Sequence, residues 1–301
     1  MELKIPGIFR ASAGRNKRSI SRLVSLGHLL AIVVLLEKPI AAEEAKPQVR
    51  AAVINGMIMT GFWQALMERF TNETGIKVEL AAAGERDILN AAFRKGGIDF
   101  LTMHSGDVTT NLVADGFAMN MRPWAKNELV IVGPSGDPAG IQGMKDGVAA
   151  LKQIAAKSGK FVDFRDLGSR EVFHTLLVKS ELAPDPAWLL QDTAPHKREI
   201  LNFAESRNAY AIVGSLPVRF GRMPRQNMIP MVQGDAIMRR PYNLMVANPK
   251  RFPKANVSGA EALAEFLLTE ETQRFIATFG KGDRGDDPYF YPVDPDARSG
   301  K

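Results

Sequence analysis

Residues 127–145 read NELVIVGPSGDPAGIQGMK. Within them, Leu129-Val130-Ile131-Val132 is a run of four apolar residues, three of them β-branched. Such a run predicts a strand buried on both faces. Gly133-Pro134 closes it, and Gly136-Asp137-Pro138 and Ala139-Gly140 are turn signals that precede a helix-forming segment. A strand of this kind near mid-chain reads as a crossing out of one compact unit into another, with a hinge between two lobes.

Toward the N-terminus, 49–54 (VRAAVI) reads as a strand entering an Asn55-Gly56 turn. Thr60-Gly61 then opens a helix over 62–73, with Phe62, Leu66, Met67 and Phe70 near one face. Strands over 76–81 and 98–103 flank a helix over about 87–95, and a further helix covers 108–114. The order β-α-β-α-β predicts a parallel sheet with crossover helices. Beyond the crossing strand, helices are expected over 148–156, 171–180 and 197–206, and strands over 161–164, 209–213 and 229–232. Residues 242–247 (YNLMVA) read as the return crossing. Ser258 is read as the cap of a helix over 259–268, helical pattern continues over 270–279, and 281–301 reads as loop.

The first 42 residues read as a leader. Arg10, Arg15, Lys17, Arg18 and Arg22 precede an apolar core, LLAIVVLL (29–36), and Ala41-Ala42 offers small residues for cleavage. The core is shorter than a membrane span requires, so a cleaved secretory signal is expected, with an uncleaved N-terminal anchor as the alternative. Sec and twin-arginine export both stay open. The leader carries seven Lys/Arg against two Asp/Glu, so it holds five of the six net positive charges and leaves +1 for the rest. The basic balance therefore gives no reason to expect a nucleic-acid partner. No cysteine occurs, so an exported chain must rely on a large core instead of disulfides. With three histidines outside the leader (His104, His174 and His196), a structural zinc site is not expected. No nucleophile–base pair with an orienting third group stands out, and the chain does not read as an enzyme.

Several stretches resemble one family. They are NETGIKVELAAAG (72–84), GIDFLTMHS (97–105), 112–155 with its VIVGPSGDPAGIQGMKD segment, RPYNLMVANPKRFP (240–253), GAEALAEFLL (259–268), TQRFIATFG (272–280) and YFYPV (289–293). The chain resembles the substrate-binding proteins of tungstate ABC importers, relatives of the phosphate- and molybdate-binding proteins. The resemblance implies a two-lobed α/β fold, the type II periplasmic binding protein fold, with two hinge-crossing strands and a ligand in the cleft. The expected division is a signal peptide at 1–42, lobe I at 43–132, lobe II at 133–239, and the return to lobe I with a C-terminal tail at 240–301. The resemblance further implies a periplasmic monomer that hands a small anionic ligand to an ABC permease in the inner membrane, with no cofactor and no metal.

The cleft loops depart from the family's pattern. Where relatives carry a Thr/Ser-rich loop after the first strand, this chain has Asn55-Gly56-Met57-Ile58-Met59-Thr60. In the second motif, Arg165 reproduces the arginine, displaced by one position, and Ser169 a hydroxyl. The remaining two loops read Gly84-Glu85-Arg86-Asp87 and Ala211-Ile212-Val213-Gly214-Ser215-Leu216. Candidate ligand-binding residues are Asn55, Gly56, Thr60, Glu85, Arg86, His104, Ser105, Arg165, Ser169, Arg170 and Tyr242. Arg170 is included because a cation near a helix start opposes the helix dipole. His104 equally fits a structural hydrogen bond at a strand end. A bare oxyanion needs many convergent donors. Fewer hydroxyls and more apolar residues therefore leave two readings open. Backbone N–H groups still hold an oxyanion, or the cleft takes a larger acidic molecule or a protein partner in an accessory or sensory role.

Overall fold

The computed structural model describes residues 48–294; the expected signal peptide lies outside the described residues. The first lobe opens with β1 (Gln48–Ile54), α1 (Asn55–Met59), α2 (Phe62–Thr74), β2 (Lys77–Gly84), α3 (Arg86–Lys95), β3 (Phe100–His104) and α4 (Asp107–Ala114). Strand β1 lies between β2 and β3 and is parallel to both. Phe62, Leu66 and Phe70, four residues apart, are fully buried on one face of α2. Gly75 ends that helix in the left-handed conformation (φ 73°) that only glycine adopts without strain.

Next come β4 (Ala118–Pro134), α5 (Gly147–Ala156), β5 (Lys160–Asp163), α6 (Leu167–Ser180), β6 (Leu189–Gln191), α7 (Ile200–Glu205), β7 (Ala209–Gly214), α8 (Ser215–Arg219) and β8 (Met228–Val232). The chain returns through β9 (Arg239–Ala247) and ends with α9 (Val257–Leu268), α10 (Glu270–Ile276) and β10 (Tyr291–Pro292). The strand order is β2-β1-β3-β9-β4-β7-β5-β6, with β8 and β10 also paired to β4.

Strand β4 is the shared spine, and at 17 residues it is far longer than its apolar run suggested. Its first part pairs with β9 as far as Glu128↔Arg239, and from Leu129↔Gly214 it pairs with β7. Pro123 has no N–H for a ladder, and register shifts on either side of it absorb the misfit. The point of transfer is tied down by Glu128. Its carboxylate accepts from the Gly234 N–H (2.6 Å) and the Tyr291 hydroxyl (3.2 Å), and burial raises its pKa.

Separate apolar clusters lie on either side of this transfer. One joins the faces of β1, β3, α2 and α9 with Trp124 and Phe290; two others flank the sheet of β4, β5 and β7. Leu216 of α8 belongs to the first cluster, whereas Val218 of the same helix packs into one of the other two, so α8 touches both sides of the transfer.

Several local expectations are corrected. Asn55-Gly56 begins the short helix α1 instead of a turn. Met57 is fully buried, and Ile58 and Met59 are partly buried against the same core. Ser215 and Leu216, read as loop, begin α8, which runs to Arg219; Pro217 is tolerated because N–H groups in a helix's first turn have no intrahelical acceptor. Helix α6 starts at Leu167, four residues before its expected start, which puts Gly168, Ser169 and Arg170 in its first turn. Asn256, not Ser258, caps α9 by accepting from the Gly259 N–H (3.0 Å). The C-terminal stretch is not simply loop. Phe290 is fully buried and stacks on Phe62 at 4.2 Å, and the Val293 N–H donates to Gln273 Oε1 (3.0 Å). Large aromatic side chains carry enough apolar area to hold such a segment down.

Candidate functional site

The last residue of β3 and the first residues of β9 bring the polar groups of one wall together. His104 pairs in register with Tyr242, and their rings stack at 4.4 Å. The Ser105 N–H donates to the Pro241 carbonyl (3.0 Å), and the Ser105 carbonyl accepts from Arg240 Nη2 (2.7 Å). Tyr242 is 1 % exposed, and its hydroxyl faces the start of α1: a Cβ on Gly56 would lie 3.6 Å from it and 3.9 Å from Leu216. Burial and the positive charges of Arg240 and Arg86 hold the His104 pKa well below its usual value, so the imidazole is neutral at pH 7. Burial pushes the Tyr242 phenol above its usual range.

Arg240 stands at the centre of this constellation. It is 7 % exposed. A Cβ on Gly168, in the first turn of α6, would sit 2.4 Å from Arg240 Nη1. One on Gly106, at the start of α4, would sit 3.1 Å from Arg86 Nη1, 3.6 Å from Arg240 Nη2 and 3.7 Å from Glu171 Oε1. Gly106 also has φ 145°, a conformation that side-chain-bearing residues rarely adopt. Two glycines, one from each lobe, thus leave room for one guanidinium between two helix starts. Both helix starts present partial positive charge, and Arg86 adds a full one. Against these, Arg240 Nη2 has Glu171 Oε2 at 3.1 Å, across the cleft. The balance is incomplete: burial, the largest cause, and Arg86 lower the Arg240 pKa, while Glu171 and Asp166 raise it. Its buried Nε has no hydrogen-bond acceptor among the described residues, and Oδ1 of Asn127, its cross-strand partner on β4, has no donor among them. A buried polar group left unpaired costs about 1–3 kcal/mol and calls for an explanation; the Nε groups of Arg69, Arg122 and Arg239 are in the same state, so it is the position of Arg240 between the two helix starts that sets it apart.

The residues expected from sequence divide into two groups. Arg86, His104, Ser105 and Tyr242 gather around Arg240 as described, Gly56 faces the Tyr242 hydroxyl, and Ser169 is 3 % exposed one residue after Gly168. Glu85 lies before α3, where its charge acts on Tyr242, and Asn55 is exposed at the first position of α1. The others have structural partners. The Thr60 hydroxyl donates to the Gly56 and Met57 carbonyls (2.9 and 3.3 Å), closing α1 on itself. Arg165 is bound to the Asp192–Ala194 turn: its N–H donates to Asp192 Oδ2 (3.2 Å), its Nε lies 3.6 Å from the same oxygen, and its Nη2 donates to the Ala194 carbonyl. Arg170 Nε donates to Asp163 Oδ1 (3.0 Å). That pairing explains a cation at the start of α6 without any ligand.

Sequence reasoning missed Arg240. It stands in a quoted stretch, RPYNLMVANPKRFP, but no periodicity marks it as buried. The one available signal was its place, two residues before Tyr242 at the start of a crossing strand.

Comparison with known proteins agrees with this architecture. The family model of bacterial extracellular solute-binding proteins matches residues 52–280. The tungstate-binding protein TupA of Peptoclostridium acidaminophilum is 25 % identical over 264 residues, covering 85 % of this chain and 89 % of that one. A Haloferax volcanii relative, provisionally named an ABC transporter anion-binding protein, is 26 % identical over 225 residues; the match spans 73 % of this chain and 65 % of that protein. Among solved structures, the tungstate-binding protein TupA from Desulfovibrio alaskensis superposes with a TM-score of 0.66 at 25 % identity, covering 82 % of this chain and 99 % of that one. With a matching model over most of its length and a shared two-lobed architecture, the chain belongs to the family of bacterial extracellular solute-binding proteins.

Proposed function

We propose that the chain is the periplasmic solute-binding component of an ABC importer and takes a small oxyanion of the tungstate or molybdate kind into its cleft. Tungstate- and anion-binding relatives support the class of ligand. The observation that carries the reading to this chain is the buried guanidinium of Arg240, set between helix starts of both lobes beside Arg86 and a neutral histidine. Desolvating an oxyanion is costly, and preset donors and partial positive charges offset that cost. Gly56, Arg86, His104, Ser105, Ser169 and Tyr242 are the proposed lining. The boundary between the lobes is proposed at 128/129, where the pairing of β4 passes from β9 to β7. Closure about that point would bury the ligand and present both lobes to a membrane permease.

A thermal-shift titration with tungstate, molybdate, phosphate and sulfate tests the reading. A ligand that binds only the folded state adds about 2.7 kcal/mol at a hundredfold excess over its dissociation constant. A saturable rise with tungstate or molybdate is the expected result. A flat response to all four, with a rise for an organic acid, would transfer the cleft to a different solute.

A further inference from the structure

The proposed lining contains one contact that works against its own purpose. A cleft that binds anions already holds a carboxylate: Glu171, from lobe II, reaches Arg240, from the return strand of lobe I. The two partners differ in how firmly they are held. The Arg240 side chain is 8 % exposed and anchored by its bond to the Ser105 carbonyl, whereas the Glu171 side chain is 52 % exposed. Glu171 is the fifth residue of α6, just past its first turn, and its half-exposed carboxylate can swing into solvent without leaving the helix. Arg240 has no such freedom, because β9 and the two glycines define its place. The other carboxylates that act nearby are Asp166 and Glu85. Asp166 is held by Lys197 at 3.2 Å, and Glu85 is exposed. Glu171 is therefore the carboxylate that an incoming anion must displace to reach the guanidinium.

We propose that Arg240 is the anion-recognition residue of this cleft and that Glu171 is a built-in competitor, displaced when an oxyanion pairs with the guanidinium. The inference rests on the oxyanion reading above. Its consequence is a set point for affinity: the carboxylate weakens anion binding by the amount needed to break its own pair. The same pair links the lobes across the cleft, so it also favours closure before ligand arrives. The exchange of one carboxylate for one oxyanion leaves no buried cation uncompensated at either stage.

Calorimetric titration of sodium tungstate into the wild-type protein, Glu171→Gln, Arg240→Gln, Arg240→Lys and the Glu171→Gln/Arg240→Gln double variant tests this. Thermal melts confirm that each is folded. Removing an exposed ion-pair partner is expected to tighten binding about threefold. Losing a charge-assisted contact is expected to weaken it about 30-fold in Arg240→Gln, with Arg240→Lys in between because an ammonium lacks the planar fork. The decisive arm is the double variant, since coupled partners are non-additive. Direct competition predicts that Glu171→Gln tightens nothing once Arg240 is gone. If the tightening persists in the Arg240→Gln background, Glu171 acts only through its general field and the competitor idea fails. If Arg240→Gln binds as the wild type does, Arg240 is not the recognition residue. Should an Arg240 variant fail to fold, Glu171→Gln alone still decides: binding no tighter than wild type overturns the inference. Wild-type protein that binds no oxyanion overturns the functional reading itself, a result distinct from these.

Discussion

On the lobe II side of the cleft, Arg165 and Arg170 each have a carboxylate of their own, Asp192 and Asp163. On the lobe I side, Arg240 pairs with a half-exposed glutamate across the cleft, and its Nε has no acceptor among the described residues. All three arginines flank the same helix start, yet only one is under-compensated. A cation already satisfied by a local carboxylate has little to gain from a ligand. A buried one whose partner is loosely held has much more. Charge near a cleft is thus a weaker guide to a binding site than the incompleteness of that charge's environment.

The contrast can be broken most forcefully at Asp192, whose side chain is fully buried. It accepts from the Arg165 and Ala194 N–H groups (3.2 and 2.9 Å). Asp192→Ala strands these donors and should cost about 2–3 kcal/mol, at the level of a lost charged hydrogen bond. Urea unfolding would read this as a lower midpoint with unchanged slope. A loss below about 0.5 kcal/mol, the level of an inconsequential surface change, would mean that Arg165 is not held as described and returns as a ligand candidate.

A second test concerns the charge surrounding His104. Its folded pKa is depressed by burial, Arg240 and Arg86. The unfolded chain therefore binds this proton more readily, and the stability associated with the neutral ring is present above the unfolded pKa and lost as pH falls below about 6.5. One proton gives a slope of at most about 1.4 kcal/mol per pH unit. Melting temperatures of the wild type and His104→Asn between pH 7.5 and 4.5 should diverge on the acid limb, with the variant flatter. Parallel curves would show that the ring is not held neutral by its buried, positively charged surroundings.

The smallest expected effect belongs to Arg170→Ala. Its side chain is 36 % exposed and its pair with Asp163 is local, so the loss should stay within about 1 kcal/mol. Tungstate affinity should move by less than about twofold, well under the change from losing a charge-assisted hydrogen bond. A large drop in affinity without a drop in melting temperature would reinstate Arg170 as a contact and erase the distinction between the two walls.

Much of the scaffold was legible in the chain itself. The apolar run Leu129-Val130-Ile131-Val132, the spacing of Phe62, Leu66 and Phe70, and the alternation of strands with helices are local signals, and the structure follows them. The errors also have local causes. Asn55-Gly56 and Ser215-Leu216-Pro217 carry turn-like residues, but tertiary packing of Met57 and Leu216 makes helices of them. The start of α6 was misplaced because Gly168 and Ser169 are poor helix formers. The presence of Gly168 there is explained by the guanidinium that approaches it.

By itself, the sequence determined the two-lobed α/β class, the mid-chain crossing strand and a cleft built from loops after β1, β2, β3, β5 and β7. The alternation of strands and helices and the crossing strand follow from hydrophobic periodicity and turn chemistry, which act over a few residues; the two-lobed cleft and its loops are what the family resemblance implies. Which charges face the ligand was decided by tertiary structure alone. Arg240 and Glu171 are 69 positions apart, and their meeting depends on the register of β9 against β3 and β4, on two glycines and on the packing of α6. Burial and pairing of a charge are properties of the assembled fold, because the surrounding low-dielectric walls come from distant parts of the chain.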